Sequence, residues 1–219
     1  MKHILAVVAV AVALGAATAR AADATQDHAK HRNHDDHAKH QTPAAEKPST
    51  VKVKFDDSVL IDQDGQSRKF KSEVIGDRLV VIDFAYTTCT TVCPVLTAMM
   101  GRVQRALAES GPDGVQLVTI TVDPARDTPA RMKAYAAQYG AQPGWTWLTG
   151  PTGRVNEVLK GFGAYSPRFE DHPPLVLVGD PKSGQWTRFV GFADPKDLLT
   201  KVRELHAARD AGKRVGHQH

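Results

Sequence analysis

The strongest constraint on the fold is a nearly continuous apolar run from Leu79 to Phe84, which is rich in β-branched residues and interrupted only by Asp83. A run of this kind predicts a central strand that is buried on both faces of a sheet. Val115 to Val122 and Leu175 to Val178 have a similar character. Because 42% of the 219 residues are hydrophobic, the chain can build a core around such strands.

The segments between these runs carry the end signals of helices. Thr128 before Pro129 places a favourable N-cap residue ahead of a proline in the first helical turn. We predict helices at residues 94–109, 129–139, 152–161 and 195–208, and further strands at 51–55, 59–62, 68–70, 145–148 and 185–190. This alternation predicts an α/β fold with a central mixed sheet and helices on both faces, and thioredoxin-like folds have this order of elements.

The N-terminal end has the pattern of a targeting segment. Met1-Lys2-His3 is basic, Ile4 to Ala17 is apolar, and Ala19-Arg20-Ala21 has small residues at alternate positions. This pattern predicts a secretory signal peptide over residues 1–21 and an exported, periplasmic protein. The apolar run is short for a membrane span, but an uncleaved segment that anchors the protein to a membrane is the alternative.

Residues 22–50 are polar and contain five histidines, one at every third position from residue 28 to residue 40. Their low apolar content predicts a disordered tether, followed by a domain over residues 51–209 and a flexible tail over 210–219. The tether could bind Cu(II), Zn(II) or Ni(II) as an auxiliary metal site, or it could be a solubilising linker that gains charge at mildly acidic pH. The histidines are His28, His31, His34, His37 and His40.

The net charge gives no case for a nucleic-acid partner. The chain carries +4, and removal of residues 1–21 takes away Lys2 and Arg20 and no acidic residue, which leaves +2. This small excess is spread along the chain, whereas nucleic-acid binding requires a clustered basic face.

The two cysteines, Cys89 and Cys93, lie between the central strand and a helix, at the edge of the sheet where sites tend to form. Pro94 suits the first helical position, which would make Cys93 the N-cap residue, and a helix N-terminus favours a thiolate. Thiolates serve in nucleophilic attack and in binding soft ions such as Cu(I). The C-x-x-x-C spacing suits a bridging metal better than the tighter C-x-x-C spacing does, but a disulfide and a pair of inert buried cysteines stay open.

Two sulfur ligands leave room for a third ligand. His172 and His206 are the histidines of the globular region, and His206 lies among charged residues, where we expect a surface side chain. His172 precedes Pro173-Pro174 and a strand, in the loop that faces the cysteines in thioredoxin-like folds, so we predict that it is a ligand. Met99 and Met100 occupy helical positions where methionine usually fills the core.

Four motifs together resemble the Sco/SenC family of copper-handling proteins over about residues 51–209. They are the strand Val80 to Thr87 before Cys89-x-x-x-Cys93-Pro94, the run Val118 to Pro129, Asp171-His172 before a strand, and Gly191-Phe192 before the final helix. The resemblance implies a thioredoxin-like fold and copper, as Cu(I) or Cu(II), bound by Cys89, Cys93 and His172. It also implies assembly of the copper centre of cytochrome c oxidase, with the copper-bearing subunit of the oxidase as the accepting partner.

Two functions of different classes follow from these residues. A copper metallochaperone needs His172, whereas a thiol–disulfide oxidoreductase would reduce partner cysteines with Cys89 and Cys93 as catalytic residues and does not strictly need the histidine. A peroxiredoxin-like peroxidase is less well supported, because no Thr or Ser lies three residues before Cys89. Pro173-Pro174 departs from the family pattern, and we predict a cis bond at one of these prolines, because Pro174 sits where thioredoxins place a cis-proline.

Overall fold

The structure is a computed structural model that describes residues 46–216, with side chains as far as residue 212. The predicted signal peptide, nearly all of the predicted tether and its five histidines lie outside the described residues. Between residues 46 and 216, no helix is both long enough and apolar enough to cross a membrane.

A single mixed sheet of eight strands forms the centre of this part of the chain. The strands are β1 (Ser49–Val51), β2 (Val59–Asp62), β3 (Ser67–Lys69), β4 (Val80–Ala85), β5 (Gln116–Thr121), β6 (Trp145–Thr149), β7 (Leu175–Asp180) and β8 (Gln185–Val190). Their spatial order is β1-β8-β7-β4-β5-β6-β2-β3. β4 pairs parallel with β5 and β5 pairs parallel with β6, whereas the other neighbours are antiparallel. The prediction of a mixed sheet is confirmed.

The three apolar runs of the sequence form the three central strands. Every position of β4, β5 and β7 is buried. Side chains alternate across the sheet, so Val81 packs in the core on one face, while Val80, Ile82 and Phe84 pack on the other. A sheet with two buried faces needs helices on both sides, as the sequence predicts.

Four α-helices supply these covering layers, together with a π-helical turn (Phe70–Ile75) and a 3₁₀ turn (Phe169–Asp171). They are α1 (Val92–Ser110), α2 (Pro129–Gln138), α3 (Thr152–Phe162) and α4 (Pro195–Gly216). Apolar residues of α1, α2 and α4 share one core cluster, and those of α3 and the π-helical turn share the other. Thr128 caps α2 as predicted, because its hydroxyl accepts a hydrogen bond from the Arg131 N–H at 3.3 Å.

The first strand begins earlier than predicted, at Ser49, and ends at Val51 instead of Phe55. Beyond Val51 the chain leaves the edge of β8, and the N–H of Lys54 donates to the carbonyl of Gly161 at 3.1 Å. Phe55 then stacks on Phe162 with 5.1 Å between ring centroids. The alternation of apolar residues over 51–55 therefore reflects real burial against α3 and not a longer strand.

Two other expectations near the C-terminal half are wrong. α4 continues to Gly216, past the predicted end at 208 and into the predicted flexible tail, and Arg209 ties its later turns to Asp180 at the end of β7. No cis peptide bond occurs in residues 46–216, so Pro173 and Pro174 are both trans. His172 is extended, with φ −63° and ψ 135°, a conformation that favours a following proline without a cis bond.

The ion pair between Arg209 and Asp180 generates the first testable prediction. Burial would raise the pKa of Asp180, but hydrogen bonds from Arg209 and Ser183 outweigh it and hold that pKa below the ordinary value. Because the Asp180 side chain is only 2% exposed, Arg209→Ala should lower the free energy of unfolding by about 3 kcal/mol in urea denaturation at neutral pH. This contribution should shrink as pH falls through the acidic range, since protonated Asp180 loses the ion pair.

The matched control is Arg154→Ala, because Arg154 and Glu157 form an ion pair on α3 whose side chains are 58% and 53% exposed. We expect a loss below about 1 kcal/mol there. Equal losses for the two arginine variants would contradict the assignment of Arg209 as the anchor of α4.

Candidate metal centre

The loop between β4 and α1, residues 86–91, is called the cysteine loop here and carries Cys89. A hydrogen bond from the N–H of Cys89 to the carbonyl of Tyr86, at 3.2 Å, closes its first turn. The Cys89 Sγ then accepts a hydrogen bond from the N–H of Cys93 at 3.4 Å and lies 3.8 Å from the Thr91 hydroxyl. The chain thus folds the sulfur of Cys89 back over the start of α1.

This geometry corrects the predicted helix start. α1 begins at Val92 with Thr91 as N-cap, so Cys93 lies in the first turn and is not the N-cap residue. Thr91 makes no side-chain capping bond. The first-turn N–H groups of a helix lack partners within the helix, and the Cys89 sulfur satisfies one of them. The sulfur that the helix N-terminus favours is therefore that of Cys89.

His172 reaches the cysteines from residues 163–174, the segment between α3 and β7 that is called the histidine loop here. It follows the 3₁₀ turn Phe169–Asp171 and precedes β7. Its Nε2 lies 4.0 Å from the Sγ of Cys93, although the two residues are 79 positions apart in sequence. All three predicted ligands are buried: Cys89, Cys93 and His172 are 6%, 0% and 5% exposed. The structure therefore brings the two cysteines and the predicted histidine to one place.

Comparison with known proteins agrees with this fold. A sequence profile of the family SCO1/SenC matches residues 44–207, about three quarters of the chain. The chain belongs to the SCO1/SenC family. The α/β fold with a mixed sheet is accordingly the thioredoxin-like fold that the solved Sco structures share.

Individual members of the family align with between 52% and 74% of the chain. The chain is 34% identical over 118 residues to the SCO1 protein homolog of Bacillus subtilis, which covers 52% of this chain and 60% of that relative. BsSco, described as a member of the Sco family of cytochrome c oxidase assembly proteins with a disulfide switch, has 27% identity and a TM-score of 0.59, covering 73% of this chain and 95% of that chain. Yeast Sco1 with copper bound has 27% identity and a TM-score of 0.56, covering 74% and 95%.

The two cysteines of this Sco-family site differ in acidity. A hydrogen bond from the Cys93 thiol, helped by the backbone N–H groups of Cys93 and Thr91, holds the pKa of Cys89 well below its usual range despite burial. The same hydrogen bond and burial raise the pKa of Cys93. This hydrogen bond therefore favours the thiolate form at Cys89 and the protonated thiol at Cys93.

The imidazole of His172 favours its neutral form, in which it could act as a ligand. Burial lowers its pKa, and the nearby negative charge of Cys89 opposes this effect without reversing it. A neutral imidazole keeps a lone pair available for a metal at neutral pH. The site therefore presents one thiolate, one thiol and one neutral imidazole.

These donor atoms suit a soft metal ion, although the three side chains are not yet arranged as a complete metal site. Between residues 46 and 216, no three Cys, His, Asp or Glu side chains stand in the arrangement of a complete metal site. The 4.0 Å between Cys93 Sγ and His172 Nε2 is nevertheless what an ion spans with bonds of about 2.3 Å to sulfur and about 2.0 Å to nitrogen at an open angle. Binding would require release of the Cys93 proton and a small closure of the three side chains.

Sequence reasoning missed the aromatic side chains that hold the histidine loop. The rings of Tyr86 and His172 meet edge to face at 5.9 Å, and Tyr86 meets Phe169 in the same way at 5.0 Å. The guanidinium of Arg126 lies over the ring of Phe169 at 5.2 Å. These contacts connect the cysteine loop, the β5–α2 connection and the histidine loop, and only their spatial proximity reveals them.

The remaining predicted residues lie away from the site. His206 is on α4 with its side chain 41% exposed, 3.4 Å from Asp210, which agrees with the expected surface position. Met99 and Met100 are buried in the core between the sheet and α1, as predicted for core methionines.

The unequal cysteine pair leads to a prediction for the metal-free, reduced protein. At neutral pH we expect the ultraviolet absorbance of a single thiolate. Cys93→Ser should retain this absorbance and Cys89→Ser should abolish it, which would assign the thiolate to Cys89. A pH titration should also show that the pKa of Cys89 rises in Cys93→Ala, which lacks the hydrogen-bond donor, and stays low in Cys93→Ser, whose hydroxyl can still donate. A thiolate that survives Cys89→Ser would show that Cys93 carries the charge.

Proposed function

We propose that this protein is a copper metallochaperone that holds copper with Cys89, Cys93 and His172 and delivers it during assembly of the copper centre of cytochrome c oxidase. The observation that carries the proposal is the 4.0 Å approach of His172 Nε2 to Cys93 Sγ, with Cys89 Sγ on the N–H of Cys93. A histidine is needed there for a metal site and not for disulfide exchange.

The donor set supports copper in particular. Thiolate sulfur selects soft ions such as Cu(I), and imidazole accepts both copper oxidation states. Yeast Sco1, a structural neighbour, is described with copper bound, and BsSco is described as a member of a family of cytochrome c oxidase assembly proteins. The copper-bearing subunit of the oxidase is accordingly the partner that we propose.

Export fits this role, because a thioredoxin-like copper donor must meet an oxidase subunit outside the cytoplasm. The basic, apolar and small-residue pattern of residues 1–21 supports a secretory signal and a periplasmic location. Retention of that segment as an anchor would keep the same domain at the membrane surface.

A thiol–disulfide oxidoreductase is the alternative function, since it would use the same two cysteines. A thiolate at Cys89 beside a thiol at Cys93 is the arrangement of an attacking and a resolving cysteine. Both cysteines are free in the described structure. Attack of Cys89 on a partner disulfide would release one partner thiolate, and attack of Cys93 on the mixed disulfide would release the second and leave Cys89–Cys93 oxidised.

Anaerobic Cu(I) titration of the reduced full-length protein against a competing chelator tests the proposal. We expect one tightly bound Cu(I), and a loss of affinity of about 100-fold or more in His172→Ala, because a three-ligand site becomes a two-ligand site. The matched control is His206→Ala, which removes an exposed histidine of the same domain and should leave the affinity unchanged.

The opposite result has a definite meaning. If Cu(I) binding is weak and His172→Ala has no effect, the metallochaperone is wrong and reduction of partner disulfides becomes the working function. That activity should then require both cysteines and tolerate His172→Ala.

The histidines at residues 28–40 are proposed as an auxiliary copper-collecting segment, since five imidazoles on a polar chain bind Cu(II) without a fold. Deletion of residues 22–45 preserves β1, which begins at Ser49, and so tests the segment without cutting the sheet. We expect the deletion to remove additional Cu(II) ions in equilibrium dialysis and to leave the Cu(I) site intact. Unchanged Cu(II) stoichiometry would reduce the segment to a linker.

A further inference from the structure

The carboxyl group of Asp127 joins the cysteine loop to the scaffold of the domain. Asp127 lies in the connection between β5 and α2 and is 1% exposed. Its Oδ1 accepts a hydrogen bond from the Thr87 hydroxyl at 2.5 Å, and both of its carboxyl oxygens lie 3.2 Å from the Thr87 N–H. Thr87 is two residues before Cys89 and 40 positions before Asp127. The loop is thus held near its start by a residue of a distant segment.

Asp127 is itself fixed by groups that do not belong to the loop. Its Oδ2 accepts from the hydroxyl of Thr121, the last residue of β5, at 2.5 Å. Its backbone carbonyl accepts from the hydroxyl of Thr149, the last residue of β6, at 2.6 Å. Its N–H donates to the carbonyl of Asp123 at 3.0 Å. The ends of two parallel strands therefore set the position of the carboxyl group before it contacts Thr87.

The connection from Thr87 to the metal ligands is short. The backbone after Thr87 turns so that the Cys89 N–H reaches the Tyr86 carbonyl, and the Cys89 sulfur then meets the N–H of Cys93. Cys93 sits on α1 and His172 on the histidine loop, whereas Cys89 is the one proposed ligand in the cysteine loop. Release of Thr87 would therefore leave Cys93 and His172 in place and let Cys89 move.

We propose that Asp127 is a positioning residue for metal binding, which holds Cys89 in register with Cys93 and His172 through its hydrogen bonds to Thr87. The inference rests on the proposed copper site. Ligands that are held at the binding geometry before the ion arrives lose less freedom on binding, so loss of this anchor weakens affinity without removing a donor.

The test compares isosteric substitutions in the reduced full-length protein. Thr87→Val removes the hydroxyl donor to Asp127, and Thr87→Ser retains it. Thr146→Val is the matched control, because it removes a half-buried threonine hydroxyl that accepts a hydrogen bond from Gln116 at 3.0 Å and has no hydrogen bond to Asp127 or the cysteine loop among the described residues. We expect Cu(I) affinity to fall about tenfold or more in Thr87→Val, and to stay within about threefold of the parent in Thr87→Ser and Thr146→Val.

A second readout needs no copper. Exchange of the Thr87 amide hydrogen should accelerate in Asp127→Asn and in Thr87→Val, because the carboxyl group that accepts its hydrogen bond is altered or less well held. It should stay slow in Thr146→Val. Urea denaturation of each variant separates this local effect from global loss of stability.

The outcomes distinguish the two proposals. A parent protein without tight Cu(I) binding overturns the copper site itself. A parent that binds tightly, with Thr87→Val equal to Thr146→Val in both affinity and amide exchange, overturns the positioning role of Asp127 and leaves the copper site standing. Loss of affinity in Thr146→Val as large as in Thr87→Val would also overturn it, since the effect would then be general.

Discussion

The site depends above all on the antiparallel pairing of β7 with β4. In this register Asp83 lies opposite Val176 and Val80 lies opposite Gly179. The start of β7 therefore lies beside the end of β4, and the residues just before one strand meet the residues just after the other. A parallel pairing would place the histidine loop at the far edge of the sheet, about the length of a six-residue strand away, or roughly 20 Å.

The parallel pairing of β4 with β5 adds the third segment. Ala85 lies opposite Thr121, so both chains leave the sheet at the same edge. The cysteine loop and the connection that carries Arg126 and Asp127 consequently emerge side by side. Three connections far apart in sequence thus converge because the order β7-β4-β5 is fixed by burial of three apolar strands. The packing of the central strands therefore determines which side chains meet at this edge of the sheet.

Burial of β4 also affects the pKa values of the groups near the cysteines. Asp83, inside the apolar run of β4, is fully buried, and burial raises its pKa to about 7 against the opposing hydrogen bond from Thr119. Its charge is one of the influences that raise the pKa of Cys93. The interior therefore disfavours a second negative charge on the cysteine pair.

The sequence was informative wherever one segment determines its own structure. Apolar runs located β4, β5 and β7, and Thr128-Pro129 located the start of α2, because these signals are local. The start of α1 was misplaced because Pro94 suggested a first helical position, while the group that satisfies the helix end, the Cys89 sulfur, is brought there by a turn of the loop. His172 was found only through the order of the strands. Asp127 stood in a recognised motif, but its role depends on Thr87 and Thr149, and no local pattern indicates those contacts.

The span of chain between Cys93 and His172 has a consequence for the lifetime of the protein. An ion bound to both would join positions 79 residues apart. The unfolded chain rarely brings these positions together, because closing a loop of that length costs conformational entropy. Such an ion would therefore bind the folded state in preference and shift the folding equilibrium toward it. Degradation that acts on the unfolded chain would then remove the metal-free protein first, so the supply of the ion would affect how much of the protein survives.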